Sequence, residues 1–204
     1  MTAKTMTAKE YFDYLKARIE DVRKVAKLGT FVTFAGICPI LERLAWTSEY
    51  DIISNPKSNS KVEIKGKDTR NFIKNYLFQT NNKYHSNTNE EELYSYLRCA
   101  VLHCLSLYND ISGNQSKFAL AHRRDKEIVN HTTGHLEVYK GKVILVAEDL
   151  LDDLEAALIL IWKDPSVNMN FLKCANSILP IGHEFYESNN CIEIRSDPAV
   201  SGIY

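Results

Sequence analysis

The sequence lacks an excess of charge of either sign. Its 204 residues contain 25 Lys and Arg against 26 Asp and Glu, which gives a formal net charge of −1. No overall positive field would therefore draw the chain to nucleic acid or anionic lipid, and such binding would need a local basic patch. No apolar run reaches the roughly 18 residues that a membrane span needs, so no membrane partner is expected.

Several signatures of catalysis and metal binding are also missing. The sequence contains no Gly-rich nucleotide loop, no G-x-S-x-G, no H-E-x-x-H and no zinc-finger spacing, so no cofactor and no metal site is expected. The five Cys are scattered without a C-x-x-C: Cys38, Cys99, Cys104, Cys174 and Cys191. Because the sequence also starts without an apolar signal-like segment, we expect reduced, buried thiols and a cytoplasmic protein.

Hydrophobic periodicity predicts a mainly α-helical bundle that forms one domain over residues 1–204. We expect helices at about 8–28, 30–46, 68–79, 90–109, 147–162 and 166–178. Asp68 or Thr69 could cap the third helix, the polar connector QTNNKYHSNTN follows it, and Asn87 through Asn89 offer a cap for the fourth. Pro165 should stop the fifth helix, whose apolar stripe comprises Leu150, Leu151, Leu154, Ala157, Leu158 and Ile161. Gly29 is placed to end the first helix, and the second should be interrupted or kinked near Gly36 and Pro39. Residues 48–66 have the composition of a loop, and no element is predicted for residues 180–204.

A small β element is predicted before the penultimate helix. The short stretches SKFALAH, HLEVY and KVILVA are rich in residues that favour strands, and YKGK is typical of a turn between the last two. We therefore expect an antiparallel element over about 117–146.

The helix expected at 90–109 contains one Arg and one His, Arg98 and His103, with four residues between them. In a regular helix the two residues lie about 100° and 120° to either side of the centre of the apolar stripe. The face opposite that stripe has small or apolar residues where a solvated surface would have charged ones: Ser95, Cys99, Leu102 and Ser106. This pattern predicts a second packing surface, against another helix of this chain or against a second copy.

The two residue types suit phosphodiester chemistry. The planar guanidinium of Arg98 matches phosphate oxygens, and the imidazole of His103 can take or give a proton near neutral pH. On RNA, His103 could activate a 2′-hydroxyl while Arg98 stabilises the growing negative charge, with no metal required. The alternative is that both are ordinary polar residues of an amphipathic helix, because the spacing alone is common.

The stretch ELYSYLRCAVLHCL resembles the motif helix of the HEPN superfamily, helical domains marked by Arg-x(4–6)-His on a late helix. The segment from Leu97 to His103 is similar to the Arg-Cys-Gly-Leu-Leu-His form seen in bacterial members, where a strand region and a further helix follow. The resemblance implies a helical bundle that forms a homodimer with the motifs facing each other. It also implies a metal-independent endoribonuclease acting in defence or with an antitoxin-like partner, in which Arg98 and His103 are catalytic.

One residue departs from the catalytic pattern of that family. Catalytic members commonly have Asn, Asp or His directly after the Arg, whereas this sequence has Cys99. The resemblance therefore leaves a second hypothesis open, a non-catalytic member that serves as an interaction or dimerisation module.

Two further segments carry candidate binding residues. The stretch KFALAHRRDK contains four residues that could bind RNA phosphates: Lys117, His122, Arg123 and Arg124. The alternative is that this stretch is a solvated charged loop. His131 and His135 have a metal-like spacing but lack a nearby third ligand, and they are expected in a turn. The acidic run EDLLDDLE at 148–155 is expected to be a solvated helix face.

Overall fold

A computed structural model of the chain describes residues 6–49, 66–97, 117–125 and 134–175, except for the side chain of Phe31. These residues form, in chain order, α1 (Ala8–Val25), α2 (Thr30–Ser48), α3 (Gly66–Phe72), α4 (Lys83–Asn87), α5 (Glu90–Tyr94), β1 (Phe118–Ala121), β2 (Val138–Tyr139), β3 (Lys142–Val146), α6 (Ala147–Lys163) and α7 (168–175). The prediction of a mainly helical fold with a small sheet before the penultimate helix is confirmed. Among these residues, no helix is both long and apolar enough to span a bilayer.

Capping side chains and a glycine set the two ends of the first helical segment. Thr7 and Glu10 form a reciprocal capping box at the start of α1. Gly29, at φ 157°, ends the 3₁₀ turn that follows α1, as predicted.

The predicted interruption of the second helix is wrong, because α2 runs unbroken through Pro39. Gly36 instead permits close packing, since a Cβ there would lie 3.1 Å from a methyl group of Val22 on α1.

The third helix begins earlier and continues differently than predicted. Asp68 or Thr69 was expected to cap it, but α3 is already helical at Gly66 and both residues lie inside it. After α3 the chain forms a π-helical turn, Ile73–Leu77, and one last α-turn, Phe78–Thr80. The polar connector predicted next contains the short helix α4, because Asn81 accepts a hydrogen bond (3.1 Å) from the backbone N–H of Lys83 and starts a new turn.

The sheet is mixed, with strand order β1-β3-β2. The predicted antiparallel hairpin is confirmed for β2 and β3, and its turn has Lys140 and Gly141 at φ 48° and 76°. β1, in contrast, pairs parallel to β3, with Phe118 opposite Val143. The antiparallel prediction is wrong for this strand, because β1 lies beside β3 rather than beside β2, and β2 runs opposite to both of them.

The core is organised around α6, which packs against α1 and α2. Every residue of its predicted apolar stripe is fully buried: Leu150, Leu151, Leu154, Ala157, Leu158 and Ile161. Pro165 follows the end of α6 as expected, and α7 then adds Phe171 to an aromatic contact with Trp162 and Phe12. Cys38 and Cys174 are buried thiols outside any disulfide, which agrees with the prediction of buried thiols for these two positions.

We expect Leu154→Ala to lower the free energy of unfolding by about 2–5 kcal/mol, because it leaves a cavity in the α6 core. The half-buried Leu160 on the same helix provides the matched control, and Leu160→Ala should cost less. Urea denaturation measures both. Equal losses for the two variants would contradict the central position of the stripe.

Candidate functional site

The helix that leads to Arg98 starts at a well-formed cap. The side chain of Asn89 accepts a hydrogen bond (2.9 Å) from the backbone N–H of Glu92, as the sequence predicted for this segment. Glu90, Glu91 and Glu92 occupy the first turn, where the helix dipole favours negative charge. The side chains that follow are nearly all buried, at 6% exposure or less: Leu93, Tyr94, Tyr96 and Leu97.

The turn immediately before Arg98 is not a regular α-helix. Residues 95–97 have π-helical geometry, which adds a residue to the turn. Residues beyond such a turn are rotated by roughly 100° relative to a regular α-helix. The angles predicted for Arg98 and His103 assumed regular geometry from Leu93 onward, and residues 95–97 depart from that geometry. Arg98 and His103 themselves lie outside the described residues, and their roles stay predictions.

Cys38 of α2 contacts the backbone at the last described residue of this helix. Its sulfur lies 2.9 Å from the carbonyl oxygen of Leu97 and 3.2 Å from that of Phe34. Burial, with a smaller effect of Glu42, raises the pKa of the Cys38 thiol to about 12. The thiol is therefore protonated at neutral pH and donates to these carbonyls, which joins α2 to the segment that precedes Arg98.

Lys117 points back to the predicted motif helix. Its Nζ lies 2.6 Å from Oε2 of Glu92 in the first turn of α5. The side chain is about half exposed, so the ion pair is solvated and of the kind that contributes little to stability. A phosphate group at Lys117 would have to compete with this carboxylate.

His122 is buried rather than presented to solvent, with 1% of its surface exposed. Its Nδ1 lies 3.0 Å from Oε1 of Glu148, and Oε2 of the same carboxylate accepts a hydrogen bond (3.1 Å) from the backbone N–H of Arg123. Burial opposes ionisation of Glu148, but the hydrogen bonds from Arg123, its own N–H and His122 outweigh it and lower its pKa. Glu148 is therefore a carboxylate at neutral pH and fixes the start of α6 to the turn after β1.

The two arginines of the basic segment are already engaged. Arg123 donates to Asp149 (2.6 Å) and Asp152 (2.6 Å) on α6, and the hydrogen bond to Asp149 is the main reason that its pKa is raised. Arg124 donates to the backbone carbonyl of Lys27 at 3.2 Å. The charge around Arg123 is thus balanced by carboxylates, which weakens its attraction for phosphate.

The acidic residues of α6 form cross-links rather than the simple solvated face predicted from the sequence. Asp152 also binds Arg23 of α1 (2.7 Å), and Glu155 binds Lys16 (3.0 Å). Pairing with these basic side chains of α1 offsets the repulsion between neighbouring carboxylates on α6. In the part of the chain that the structure describes, no three His, Cys, Asp or Glu side chains are grouped so as to hold a metal ion.

A buried polar network at His135 was missed by sequence reasoning. The N–H of Val146 donates to Nδ1 of His135 (3.0 Å), so Nε2 carries the proton and faces Oδ2 of Asp153 at 3.3 Å. The hydroxyl of Tyr84 donates to the same oxygen at 2.8 Å, and burial followed by Asp153 raises the pKa of Tyr84 well above its ordinary value. Tyr84 and Asp153 are 69 positions apart in the sequence, so no local pattern links them. His131 lies outside the described residues.

No known family model matches the chain, and neither a curated protein nor a solved structure is significantly similar to it.

We expect Glu148→Gln to lower the free energy of unfolding at neutral pH by about 1.5–3 kcal/mol, because hydrogen bonds to a charged acceptor are lost. Folding lowers the pKa of Glu148, so its contribution is present above the unfolded-state value of about 4.3 and disappears as the pH falls through the folded-state value. The difference between wild type and variant should therefore shrink below about pH 4.

The measurement is urea denaturation of both proteins as a function of pH. Glu20→Gln is the control, because Glu20 pairs with Arg23 on the surface with 48% of its side chain exposed. A pH-independent loss in Glu148→Gln would show that the charge of Glu148 does not matter.

Proposed function

We propose that this chain is a HEPN-like homodimer that cleaves RNA without a metal, with Arg98 and His103 as catalytic residues. The observation that carries the proposal is the Arg–His pair in a segment that resembles the HEPN motif helix. The described fold is compatible with it, since α5 runs toward Arg98 and is followed by a small sheet and α6. The burial of both Leu93 and Tyr94, neighbours on α5, also agrees with a helix that packs on more than one side.

The proposed reaction uses the substrate's own hydroxyl. His103 removes the proton of a ribose 2′-hydroxyl, whose oxygen attacks the adjacent phosphorus while Arg98 stabilises the negative charge on the phosphate. The bond to the 5′-oxygen breaks, and that oxygen takes a proton from an imidazolium, leaving a cyclic phosphate and a 5′-hydroxyl. A second copy of the chain would complete the cleft, as a twofold contact brings equivalent residues together.

The purified chain should therefore cleave RNA in the presence of EDTA and leave 2′,3′-cyclic phosphate ends. His103→Ala should reduce the rate by at least about 100-fold, because the proton acceptor is lost. Gel assays with end-group analysis measure both. His85→Ala is the matched control, since His85 is exposed and its ring makes a T-shaped contact with Phe78.

The outcome against this proposal is cleavage that persists in His103→Ala or vanishes in EDTA. Either result would assign the activity to another site or to a contaminant. Size-exclusion chromatography of the variant must show the same oligomeric state and thermal unfolding must show the same midpoint, so that lost activity is not lost folding.

A second function, a non-catalytic HEPN-like interaction module, is favoured by specific observations. Cys99 occupies the position after Arg98 where catalytic members have a polar residue. Lys117 and Arg123, two of the residues that would bind RNA, are paired with carboxylates of this chain. Such a module would keep the dimer contact, bind a protein such as an antitoxin-like partner, and leave RNA intact.

RNA affinity separates the two functions. If the basic segment binds phosphate, Arg123→Gln combined with Arg124→Gln should weaken RNA binding and reduce the slope of log K against log salt by about 1–2. If the arginines serve only their carboxylate and carbonyl contacts, the double variant should leave that slope unchanged. Fluorescence anisotropy with a short single-stranded RNA at several salt concentrations distinguishes these outcomes.

A further inference from the structure

The turn between α1 and α2 presents two large apolar side chains to solvent. Leu28 has the highest exposed fraction of any large hydrophobic residue in the described part of the chain, at 69%, and Val32 follows four positions later at 50%. Gly29 lies between them, and a Cβ built there would meet no atom within 4 Å, so the space beside this turn is open. Single exposed apolar residues are common, but two of them on one open turn form a small apolar patch.

The basic residues that precede this turn are all paired with carboxylates. A nitrogen of each basic residue of α1 lies within 3.5 Å of an acidic oxygen: Lys9, Lys16, Arg18, Arg23 and Lys24. Lys27, the next basic residue, is exposed and forms no ion pair with a carboxylate of the described residues. Its positive charge therefore lies unneutralised beside the apolar side chain of Leu28.

A second cation reaches the same turn from the end of β1. Nη1 of Arg124 donates to the backbone carbonyl of Lys27 at 3.2 Å, which places the guanidinium against the turn. Arg124 is exposed and has no carboxylate partner among the described residues, and this contact leaves most of its five N–H donors available. The acid next to it in the sequence, Asp125, accepts a hydrogen bond (2.7 Å) from the backbone N–H of His122 and is held within its own turn.

Cations beside exposed aliphatic side chains match the chemistry of an anionic lipid surface. Lipid phosphates pair with Lys and Arg, and the boundary with the acyl chains takes up apolar side chains. The backbone of an RNA would use the two cations alone, because aliphatic side chains offer the bases no aromatic ring on which to stack. The combination of unpaired charge and apolar exposure therefore favours lipid over nucleic acid at this turn.

We propose that the α1–α2 turn docks on the surface of a bilayer that contains anionic lipid. Lys27 and Arg124 would pair with lipid phosphates, while Leu28 and Val32 enter the boundary between headgroups and acyl chains. Because the whole chain has a net charge of −1, the contact depends on this local patch and not on the overall field. A surface contact needs no spanning helix, in keeping with the lack of one among the described residues. It is independent of any reaction on RNA.

The test is sedimentation of the full chain with sucrose-loaded vesicles. One set of vesicles contains phosphatidylcholine alone, and the other contains an equal mixture of phosphatidylcholine and phosphatidylglycerol. The chain should bind the anionic vesicles more strongly by about 25-fold, because each of the two cations contributes about fivefold near an anionic surface. Binding should weaken as the sodium chloride concentration rises, since salt screens the attraction.

Charge variants make the test specific to this turn. Lys27→Gln combined with Arg124→Gln should lower the partition coefficient for anionic vesicles by about 25-fold. Lys27→Arg combined with Arg124→Lys keeps both charges and should retain binding. Lys140→Gln combined with Lys163→Gln is the matched control, because it removes the same charge at two exposed positions on other elements and should leave binding nearly unchanged. Thermal unfolding checks that every variant is folded at the assay temperature.

Apolar variants test the insertion separately from the charge. Leu28→Ala combined with Val32→Ala should lower the partition coefficient by about tenfold or more and leave its salt dependence unchanged. Leu28→Trp supplies a readout at the turn itself, because its fluorescence emission should shift to shorter wavelength when anionic vesicles are added. The wild-type chain, which contains Trp46 and Trp162, gives the background for this measurement.

The proposal is overturned if the wild-type chain binds anionic vesicles no better than neutral ones, or if the Lys27 and Arg124 double variant binds as well as the Lys140 and Lys163 control. An unchanged emission of Leu28→Trp on bound protein would assign the contact to another surface. Loss of affinity for a short single-stranded RNA, with vesicle binding intact, would make the turn a nucleic-acid contact instead. RNA cleavage is not a readout of these measurements, so the fate of the ribonuclease proposal does not affect them.

Discussion

The fold depends on α6, because this helix is used on both of its faces. Its apolar stripe is fully buried and the helix packs against α1 and α2, so it contributes a large share of the hydrophobic stabilisation. Its polar face carries carboxylates that bind α1 through Arg23 and the turn after β1 through Arg123. Neither face is left to solvent alone, so the elements that flank α6 are fixed in position by it.

The helices could be predicted from the sequence because the signals that define them lie close together in the chain. The stripe of α6, the Asn89 cap and the stop at Gly29 are each encoded within a few residues, and each is found as predicted. The parallel pairing of β1 was not predictable, because no local pattern shows that β1 lies beside β3 rather than beside β2, the next strand in the chain. The packing role of Gly36 was not predictable for a related reason, since its small size allows close contact with Val22 on another helix.

The candidate site was less predictable than the fold. A helical wheel treats every residue as a rotation of about 100°, and the π-helical turn at 95–97 breaks that assumption directly before Arg98. The sequence of the basic segment also suggests unpaired positive charge. In the structure, Arg123 is bound by two carboxylates that lie more than 20 positions away. Charge patterns along a chain do not reveal pairing across it, and His135, Tyr84 and Asp153 illustrate the same limit.

The direct connection between β3 and α6 restricts insertions at this point of the chain. The last strand residue, Val146, is followed directly by the first helical residue, Ala147, with no linker between them. One added residue at this joint would turn α6 by about 100° about its axis and swing its apolar stripe out of the core. Strand and helix are therefore joined without a linker that could absorb an insertion, and the number of residues at this joint is constrained by the packing of both elements.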